Sequence, residues 1–137
     1  PLPEAVDTLA NCTAGGQVAF ASDSTQVAVR VELAGPAGMV HMPASGQCGV
    51  DLYVDGRFHN TAKYDLRQTE YELLLFDQPG GQMRQFTLNF PLYQGVKSLH
   101  VGLLPEATVA APAPWPPFKT RPSHTNPCPY PVHRVMP

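Results

Sequence analysis

The stretch that decides the fold is residues 49–56, Gly-Val-Asp-Leu-Tyr-Val-Asp-Gly. Its apolar residues alternate with polar ones, and a period of two is typical of a half-buried β-strand. Asp51 and Tyr53 therefore lie on the outer face of the predicted strand, where an acid and a phenol can bind or brace another group. The dipeptide Asp55-Gly56 predicts a two-residue type I′ hairpin turn, because glycine accepts a positive φ.

Further alternating segments lie on both sides of this strand, separated by turn residues. The segment from Gln26 to Leu33 is the clearest, with β-branched residues on one face and charged residues on the other. The predicted strands are residues 17–21, 26–33, 50–54, 57–62, 69–76, 84–93 and 96–104. No segment predicts a convincing helix, although Val6 and Leu9 allow one short helical turn. The sequence therefore predicts an all-β fold, an antiparallel β-sandwich of jelly-roll type.

The same pattern predicts three details of strand pairing. Residues 17–21 and 26–33 are close enough in sequence to form a hairpin. Residues 57–62 are the expected hairpin partner of the central strand, with Phe58 facing the core. Pro91 lacks the N–H that a sheet ladder needs, so its strand is expected at an edge or with a bulge at the proline.

A long connection, residues 34–48, precedes the central strand. Its three Gly and two Pro residues exclude a helix. Met39, His41 and Met42 lie in its middle, and a long loop with large apolar residues and a His is often a docking or binding loop. An equally weighted interpretation is structural: the Met side chains close the open end of the core, and His41 caps a backbone group.

The composition changes at about Pro112. Nine of the last 26 residues are Pro, so we expect a sandwich domain at residues 1–111 and a Pro-rich linker or tail at residues 112–137. Residues 112–117 are expected to be extended and exposed, in a polyproline II-like conformation. Trp115 and Phe118 are candidates to pack back onto the sandwich, and a Pro-rich ligand for an SH3-type domain is a further interpretation.

Length and charge limit the functions that are open to this chain. Its 137 residues are sufficient for one domain with a hydrophobic core. The net charge of −2, with both signs interspersed, gives no electrostatic basis for nucleic acid or an anionic membrane as a partner. No apolar segment approaches the roughly 18 residues that a membrane-spanning helix needs, and residues 1–4 do not resemble a signal peptide.

Three cysteines, Cys12, Cys48 and Cys128, are spread over the chain. Their odd number and the absence of a Cys-x-x-Cys spacing argue against a zinc ribbon or a disulfide framework. Three reduced or buried thiols are the favoured interpretation, and one disulfide with one remaining thiol is the alternative.

The sequence contains no recognisable catalytic motif. There is neither a Gly-x-Ser-x-Gly elbow nor a Gly-rich phosphate loop. The five His residues are scattered, so we expect no catalytic residue, no metal and no cofactor; a cupin-like metal site is the minor alternative. Asp51 and Asp55 lie about 13 Å apart along the predicted strand, too far for a directly paired acid and base. A carboxylate such as Asp51 on a strand needs a partner, which is either a loop-fixing hydrogen bond or a ligand.

Three blocks of the sequence resemble one family. The residues Gly49-Val50-Asp51-Leu52-Tyr53 match the signature of the GxDLY domain, which precedes the catalytic domain in a group of bacterial SGNH (GDSL-like) hydrolases. Residues 39–46 resemble the loop before that signature, and residues 91–99 resemble its closing strand pair. Together with the opening segment, the resemblance covers roughly residues 2–111.

The resemblance implies a β-sandwich accessory domain that packs in cis on an SGNH esterase acting on acylated carbohydrate. The candidates for the domain interface or the substrate rim are Met39, His41, Met42, Asp51 and Tyr53. It also slightly favours a periplasmic or secreted location. The Pro-rich joint of such hydrolases is present, but residues 119–124 lead to no Gly-x-Ser block. We therefore expect no catalysis by this chain alone, and Ser45 and Ser123 are not expected to be nucleophiles.

Two other functions stay open at this point. A free-standing sugar-binding sandwich would present aromatic residues on one sheet face, with Tyr53, Tyr64, Tyr93 and Trp115 as candidates. A complete small esterase would need a nucleophile and a base, which the sequence does not reveal. The accessory-domain hypothesis instead predicts an exposed apolar patch where the catalytic domain docks.

Overall fold

The computed structural model describes residues 3–63, 65 and 67–114. Within these residues the chain forms α1 (Glu4–Ala10), β1 (Gln17–Ser22), β2 (Gln26–Leu33), α2 (Ala44–Cys48), β3 (Asp51–Val54), β4 (Arg57–Thr61), β5 (Glu70–Asp77), β6 (Arg84–Asn89), β7 (Val96–Leu103) and β8 (Val109–Ala110). The predictions for Tyr64 and for residues 115–137, including Trp115, Phe118 and Cys128, lie outside the described residues.

The strands form two antiparallel sheets. The five-stranded sheet has the order β4-β3-β6-β1-β8, and the three-stranded sheet has the order β5-β2-β7. This arrangement confirms the predicted all-β, antiparallel sandwich. The finer jelly-roll description and the domain boundary at residue 111 stay predictions.

The core lies between the inner faces of the two sheets. Val27, Val29 and Val31 of the three-stranded sheet are buried there, as the strict alternation of β2 predicted. Phe76 of β5 meets Phe86 of β6 edge to face, with 5.2 Å between ring centroids, so aromatic rings join the two sheets.

The central hairpin forms as its sequence predicted. β3 pairs with β4, and the two residues between them have φ values of +52° (Asp55) and +77° (Gly56). Asp55 Oδ1 also accepts a hydrogen bond from the N–H of Gln85 (2.9 Å), which anchors the turn to β6. The turn therefore fixes the register of three neighbouring strands.

The predicted hairpin between residues 17–21 and 26–33 is wrong. β1 pairs with β6 and β8 in one sheet, whereas β2 pairs with β5 and β7 in the other. The bend at residues 23–25 carries the chain across the sandwich, and it is held by the N–H of Ser24, which donates to Ser22 Oγ (3.1 Å). A short connection between two alternating segments is compatible with a hairpin and with such a sheet-crossing corner, so sequence spacing does not separate them.

Two side-chain predictions next to the central strand are also wrong. Phe58 does not face the core but is 59% exposed, because the register of the β3–β4 pair shifts between Leu52 and Tyr53. Pro91 requires neither an edge strand nor a bulge. β6 is a central strand that ends at Asn89, so the missing N–H of Pro91 lies beyond the ladder.

The helical content differs from the prediction in the long connection. α2 occupies residues 44–48, where a helix was excluded on the basis of Gly and Pro content. The proline that argued against it, Pro43, immediately precedes the first helical residue, a position at which its missing N–H costs no helical hydrogen bond. α1 is the short helical turn predicted at Val6 and Leu9, extended to seven residues, and none of its residues is buried.

The described cysteines are both thiols. Cys12 is half-buried and donates to the carbonyl oxygen of Thr8 (3.6 Å), and Cys48 lies fully buried in the core. The disulfide alternative is therefore wrong for a Cys12–Cys48 pair, and Cys128 lies outside the described part of the chain.

Candidate functional site

The two ends of the sandwich carry different kinds of connection. At one end lie residues 3–16, 34–50 and 90–95, which we call the loop end. At the opposite end lie residues 23–25, 55–56, 78–83 and 104–108, which we call the turn end. The loop end contains both helices of the described chain and three of the five candidate residues, Met39, His41 and Met42.

A buried glutamine, Gln47, organises the loop end. Its Oε1 accepts hydrogen bonds from the N–H groups of Gly38 (3.0 Å) and Met39 (2.8 Å). Its Nε2 donates to the carbonyl oxygens of Met39 (3.0 Å) and Met42 (2.6 Å). Because the side chain is only 4% exposed and makes four hydrogen bonds, it holds the connection in one conformation.

The neighbouring segments are attached to this frame by further hydrogen bonds. The N–H of Tyr93 donates to the carbonyl oxygen of Gln47 (3.2 Å), and Gln94 Nε2 donates to the carbonyl oxygen of Pro36 (3.1 Å). Thr13 Oγ1 donates to the carbonyl oxygen of Gln94 (3.0 Å). These contacts join residues 11–16, 34–50 and 90–95 into one surface whose backbone is fixed.

The candidate residues of the long connection lie on this surface. Met39 and Met42 are half-buried, and His41 is exposed. Within the described part of the chain, His41 forms no hydrogen bond, so the structural interpretation in which it caps a backbone group has no support there. A role of these three side chains at a domain interface stays a prediction.

The loop end also presents apolar side chains to solvent. Its exposed large apolar residues are Val6, Leu9, Val40, Leu92 and Tyr93. Among the described residues of the turn-end connections, Met83 is exposed in the same way. The remaining exposed large apolar residues, Phe58, Leu74 and Val109, lie on strands. The apolar exposure of the connections is therefore concentrated at one end of the sandwich.

Asp51 belongs to a row of polar residues on the outer face of the five-stranded sheet. The row crosses four strands as Thr61, Asp51, Asn89 and Gln17, which are register neighbours, and we call it the polar row. Thr61 Oγ1 donates to Asp51 Oδ1 (2.6 Å), and Gln17 Nε2 donates to Asn89 Oδ1 (2.7 Å). Asp51 thus has a bracing partner in the adjacent strand, as its position on a strand required.

A cleft opens where the polar row meets the loop end. It has a volume of about 470 Å³ and is lined by Asp51, Thr61 and Asn89 of the row, by Ser45 and by the apolar side chains of Pro43, Phe90 and Leu92, with Gly15, Gly16, Gly46 and Gly49. At two of these glycines, neighbouring atoms pack so closely against the backbone that a side chain would not fit. A Cβ atom on Gly49 would overlap the carbonyl oxygen of Ser45, and one on Gly16 would come 2.8 Å from Phe90 Cδ2.

Tyr53 lies on the same outer face of β3, two residues after Asp51. Its ring meets that of Phe58 edge to face, with centroids 5.7 Å apart, and Phe58 is exposed. The start of the Pro-rich segment also lies on this face, because the N–H of Ala113 donates to Gln85 Oε1 (2.9 Å). Asp51 and Tyr53 therefore face away from the core together, while Met39, His41 and Met42 belong to the loop end.

Tyr71 supports the loop end from within the core. Its hydroxyl donates to the carbonyl oxygen of Cys48 (3.1 Å), the last residue of α2. Burial raises the pKa of Tyr71 well above its usual value, because the phenolate would lose its hydration. The neutral phenol is therefore strongly favoured at this position.

No group of three or more His, Cys, Asp or Glu side chains in residues 3–63, 65 and 67–114 is placed to hold a metal ion. Among the same residues, no helix has the length and apolar character required to span a bilayer.

Sequence reasoning missed the residues that organise both parts of this site. Nothing in the sequence marks Gln47 as a structural residue, because its four hydrogen-bond partners are backbone groups of an irregular segment. Asn89 lies beside Asp51 only because β3 pairs with β6, and these strands are separated by 29 residues in sequence. Only the sheet order brings the members of the polar row together.

The fold and its site define an all-β sandwich domain with a hydrogen-bonded loop end and an outer-face cleft. The chain belongs to the GxDLY family, described as the N-terminus of Esterase_SGNH_hydro-type, whose model matches residues 1–109. This match bears out the resemblance carried by the signature at residues 49–53. A search of curated proteins finds no match.

Two solved structures share the fold. One, from Bacteroides ovatus ATCC 8483 and assigned as a GDSL-like lipase, is 24% identical, with a TM-score of 0.72 over 81% of this chain and 34% of its own. The other, the salicylyl-acyltransferase SsfX3 from a tetracycline biosynthetic pathway, is 23% identical, with a TM-score of 0.63 over 83% of this chain and 31% of its own. This chain spans about a third of each of those proteins.

Proposed function

We propose that this chain is a non-catalytic domain that docks through its loop end onto an SGNH-type catalytic domain in the same protein. It braces that domain and contributes to the rim of its active site. The observation that carries the proposal is the loop end itself, where Val40 is exposed in a segment that the buried Gln47 holds in place. The exposed apolar side chains of Val6, Leu9, Leu92 and Tyr93 lie at the same end.

A fixed apolar surface favours association for two reasons. Covering Val6, Leu9 and Val40 removes apolar area from water, and exposed apolar groups that share a region often mark interaction sites. Because the backbone is already ordered, docking loses little conformational entropy. A mobile loop with the same residues would have to be ordered at the moment of binding.

Each candidate side chain has a proposed role at this interface. Met39 and Met42 adapt their flexible thioether chains to the surface of the partner. His41, which is exposed, is available for a hydrogen bond to the catalytic domain or its substrate. Asp51 and Tyr53 lie beside the interface on the outer face and form the proposed substrate rim. We propose acylated carbohydrate as the substrate class of the whole enzyme, on the basis of the family resemblance.

The first test is the genomic sequence that follows the codon for Pro137, read in all three frames. We expect it to encode a Gly-x-Ser block at the start of an SGNH-type catalytic domain. That domain, produced separately, should bind this chain in a calorimetric titration. Its absence from the genome, or a catalytic domain with no affinity for this chain, would contradict the proposal.

Matched variants locate the docking surface. Val40→Ser and Leu9→Ser remove exposed apolar side chains from the loop end, and each is expected to weaken the binding of the catalytic domain by about tenfold. Val109→Ser and Leu74→Ser make the same substitutions at exposed strand positions and should leave the affinity unchanged. Equal losses in both pairs would exclude the loop end as the specific docking surface.

The second candidate is a free-standing sugar-binding module. It is favoured by the Tyr53–Phe58 ring pair, since an exposed aromatic platform on a polar sheet face suits the apolar side of a sugar ring. Glycan-array binding by the isolated chain that is lost in Phe58→Ala would support this candidate. Turnover of p-nitrophenyl acetate that a serine-directed inhibitor abolishes would instead indicate a complete esterase.

A further inference from the structure

In the polar row, the two outer residues, Thr61 and Gln17, donate hydrogen bonds to the two inner residues, Asp51 and Asn89. Thr61 and Gln17 each occupy one oxygen of the neighbouring row member, Asp51 Oδ1 and Asn89 Oδ1. Within the described part of the chain, Asp51 Oδ2 and Asn89 Nδ2 form no hydrogen bond. The row therefore presents one acceptor, Asp51 Oδ2, and one donor, Asn89 Nδ2, to a ligand. Thr61 and Gln17, on the adjacent strands, hold these two side chains in place.

The register places these two groups side by side. Asp51 of β3 is the direct partner of Asn89 of β6, and side chains of such partners start about 5 Å apart on the same face. Both residues line the 470 Å³ cleft. A carboxylate only accepts hydrogen bonds, whereas an amide nitrogen only donates them. Two adjacent hydroxyl groups match this pair, since one can donate to Asp51 and the other can accept from Asn89.

The remaining residues of the cleft wall add apolar surface and a hydroxyl group. Phe90, Leu92 and Pro43 present apolar surface, whereas Ser45 adds a hydroxyl. The volume falls within the range of about 300–1,000 Å³ that is typical of small-molecule sites, which also combine apolar walls with a few polar groups. Four glycines also line the cleft, so backbone forms part of its wall.

We propose that this cleft binds one saccharide ring by a pair of vicinal hydroxyl groups. One hydroxyl donates to Asp51 Oδ2, its neighbour accepts from Asn89 Nδ2, and the apolar face of the ring packs on Phe90 and Leu92. The inference deepens the proposed function and rests on it in one respect: if the loop end docks a catalytic domain, this ring is the part of the substrate held at the active-site rim.

Other ligand classes fit the cleft less well. A divalent cation would need several oxygen ligands, but Asp51 is the only carboxylate among the cleft-lining residues and already accepts from Thr61. An anion would be repelled by Asp51, and no Lys or Arg lines the cleft. An organic amine would use the carboxylate but would leave the Asn89 donor without an acceptor.

The test is a titration of the ¹⁵N-labelled chain followed by NMR. The probes are methyl α-D-mannopyranoside, methyl β-D-galactopyranoside and methyl β-D-xylopyranoside, with ethylammonium chloride as the amine probe. We expect at least one glycoside to bind with a dissociation constant of roughly 1 mM and to shift the amide signals of Gly16 and Gly49 and the side-chain amide of Asn89. A deoxy analogue that lacks one of the two vicinal hydroxyls should bind about tenfold more weakly.

Two matched variants assign the binding to the row. Asp51→Asn keeps the acceptor for Thr61 but removes the charge, and it is expected to weaken binding of the best glycoside about tenfold. Asp55→Asn makes the same charge change at the end of the same strand, outside the cleft, and Asn also tolerates its positive φ. It should leave the affinity unchanged. Equal losses in both variants would overturn the assignment.

Several outcomes contradict the proposal outright. These are the absence of any shift up to the solubility limit of the glycosides, shifts confined to Tyr53 and Phe58, or binding of ethylammonium alone. Failure of the proposed function is a separate result, because docking is measured with Val40→Ser and Leu9→Ser, which are outside the cleft. A chain that binds a glycoside in the cleft but no catalytic domain keeps this inference and loses the docking proposal.

Discussion

The loop end and the turn end of this sandwich both reverse the chain between strands, but their connections differ in construction. The turn end does so with short connections, such as Asp55-Gly56, whose residues hydrogen-bond to adjacent segments. The loop end includes the long connection 34–50, which is held by hydrogen bonds of Gln47 and Gln94, and its segments carry most of the exposed large apolar side chains that lie outside the strands of the described chain. Reversing the chain requires neither these hydrogen bonds nor these exposed apolar side chains.

The difference is consistent with the proposal that the loop end docks onto another surface. Ordering a long connection costs conformational entropy at every residue, and the hydrogen bonds of Gln47 offset that cost before any partner binds. At the turn end, residues 55–56 are ordered by hairpin geometry, and residues 23–25 by the hydrogen bond of Ser24 to Ser22. Experiments that weaken one end and leave the other intact therefore test this interpretation, and the following predictions run from the largest expected effect to the smallest.

The largest effect is expected from Gln47→Ala. The substitution removes four hydrogen bonds at a buried position and leaves backbone groups of Gly38, Met39 and Met42 without partners. We expect a loss of about 3 kcal/mol in the free energy of unfolding, measured in urea, and faster hydrogen exchange at residues 38–42. Gln26→Ala is the control at the start of β2, next to the turn end, where the side chain makes one hydrogen bond of 3.3 Å to Asp77. It should cost less than about 0.5 kcal/mol. Similar losses would mean that the loop end has no special frame.

Alkaline pH should weaken the loop end through Tyr71. Because its pKa is raised in the folded protein, the unfolded chain releases the phenol proton first, near pH 10. The stabilisation by the buried phenol is therefore complete below about pH 10 and declines as the pH rises from there towards the folded pKa. The free energy of unfolding, measured against pH, should show this decline in the wild-type chain and in Tyr53→Phe, which changes an outer-face phenol. Tyr71→Phe should lack it, and a decline of the same size in that variant would contradict the assignment.

A smaller effect is expected at the glycines of the two ends. Gly56 has a φ of +77°, so Gly56→Ala should lower the free energy of unfolding by about 1 kcal/mol through backbone strain, although no atom lies in the way of the new methyl group. Gly38 also has open space around its Cα but no positive φ. Gly38→Ala should therefore change stability by less than about 0.5 kcal/mol in thermal or urea denaturation. Equal costs at both positions would show that strain is not what distinguishes the turn.

The strands could be predicted because each is specified by its own residues. The alternation of β2 and the Asp55-Gly56 turn are local signals, and both are found where the sequence placed them. Sheet membership is not local. β1 and β2 are neighbours in sequence but belong to different sheets, and Phe58 is turned outward by a shift in register that no property of residues 57–61 reveals.

The candidate site shows the same limit. Asp51 was selected because a carboxylate on a strand needs a partner, and it has one in Thr61. Its relation to Asn89 was not accessible, because it depends on which strand lies beside β3. The exposure of Val40 and the burial of Gln47 depend on how an irregular connection folds over the core, and irregular segments carry no periodicity to interpret.

The most direct test of the docking proposal is a hydrogen-exchange footprint of this chain with and without the proposed SGNH-type catalytic domain. We expect binding to slow exchange at residues 34–48 and 90–95 of the loop end and to leave residues 55–56 and 78–83 of the turn end unchanged. Protection at the turn end, or no protection at either end under conditions in which the two domains are bound, would contradict it.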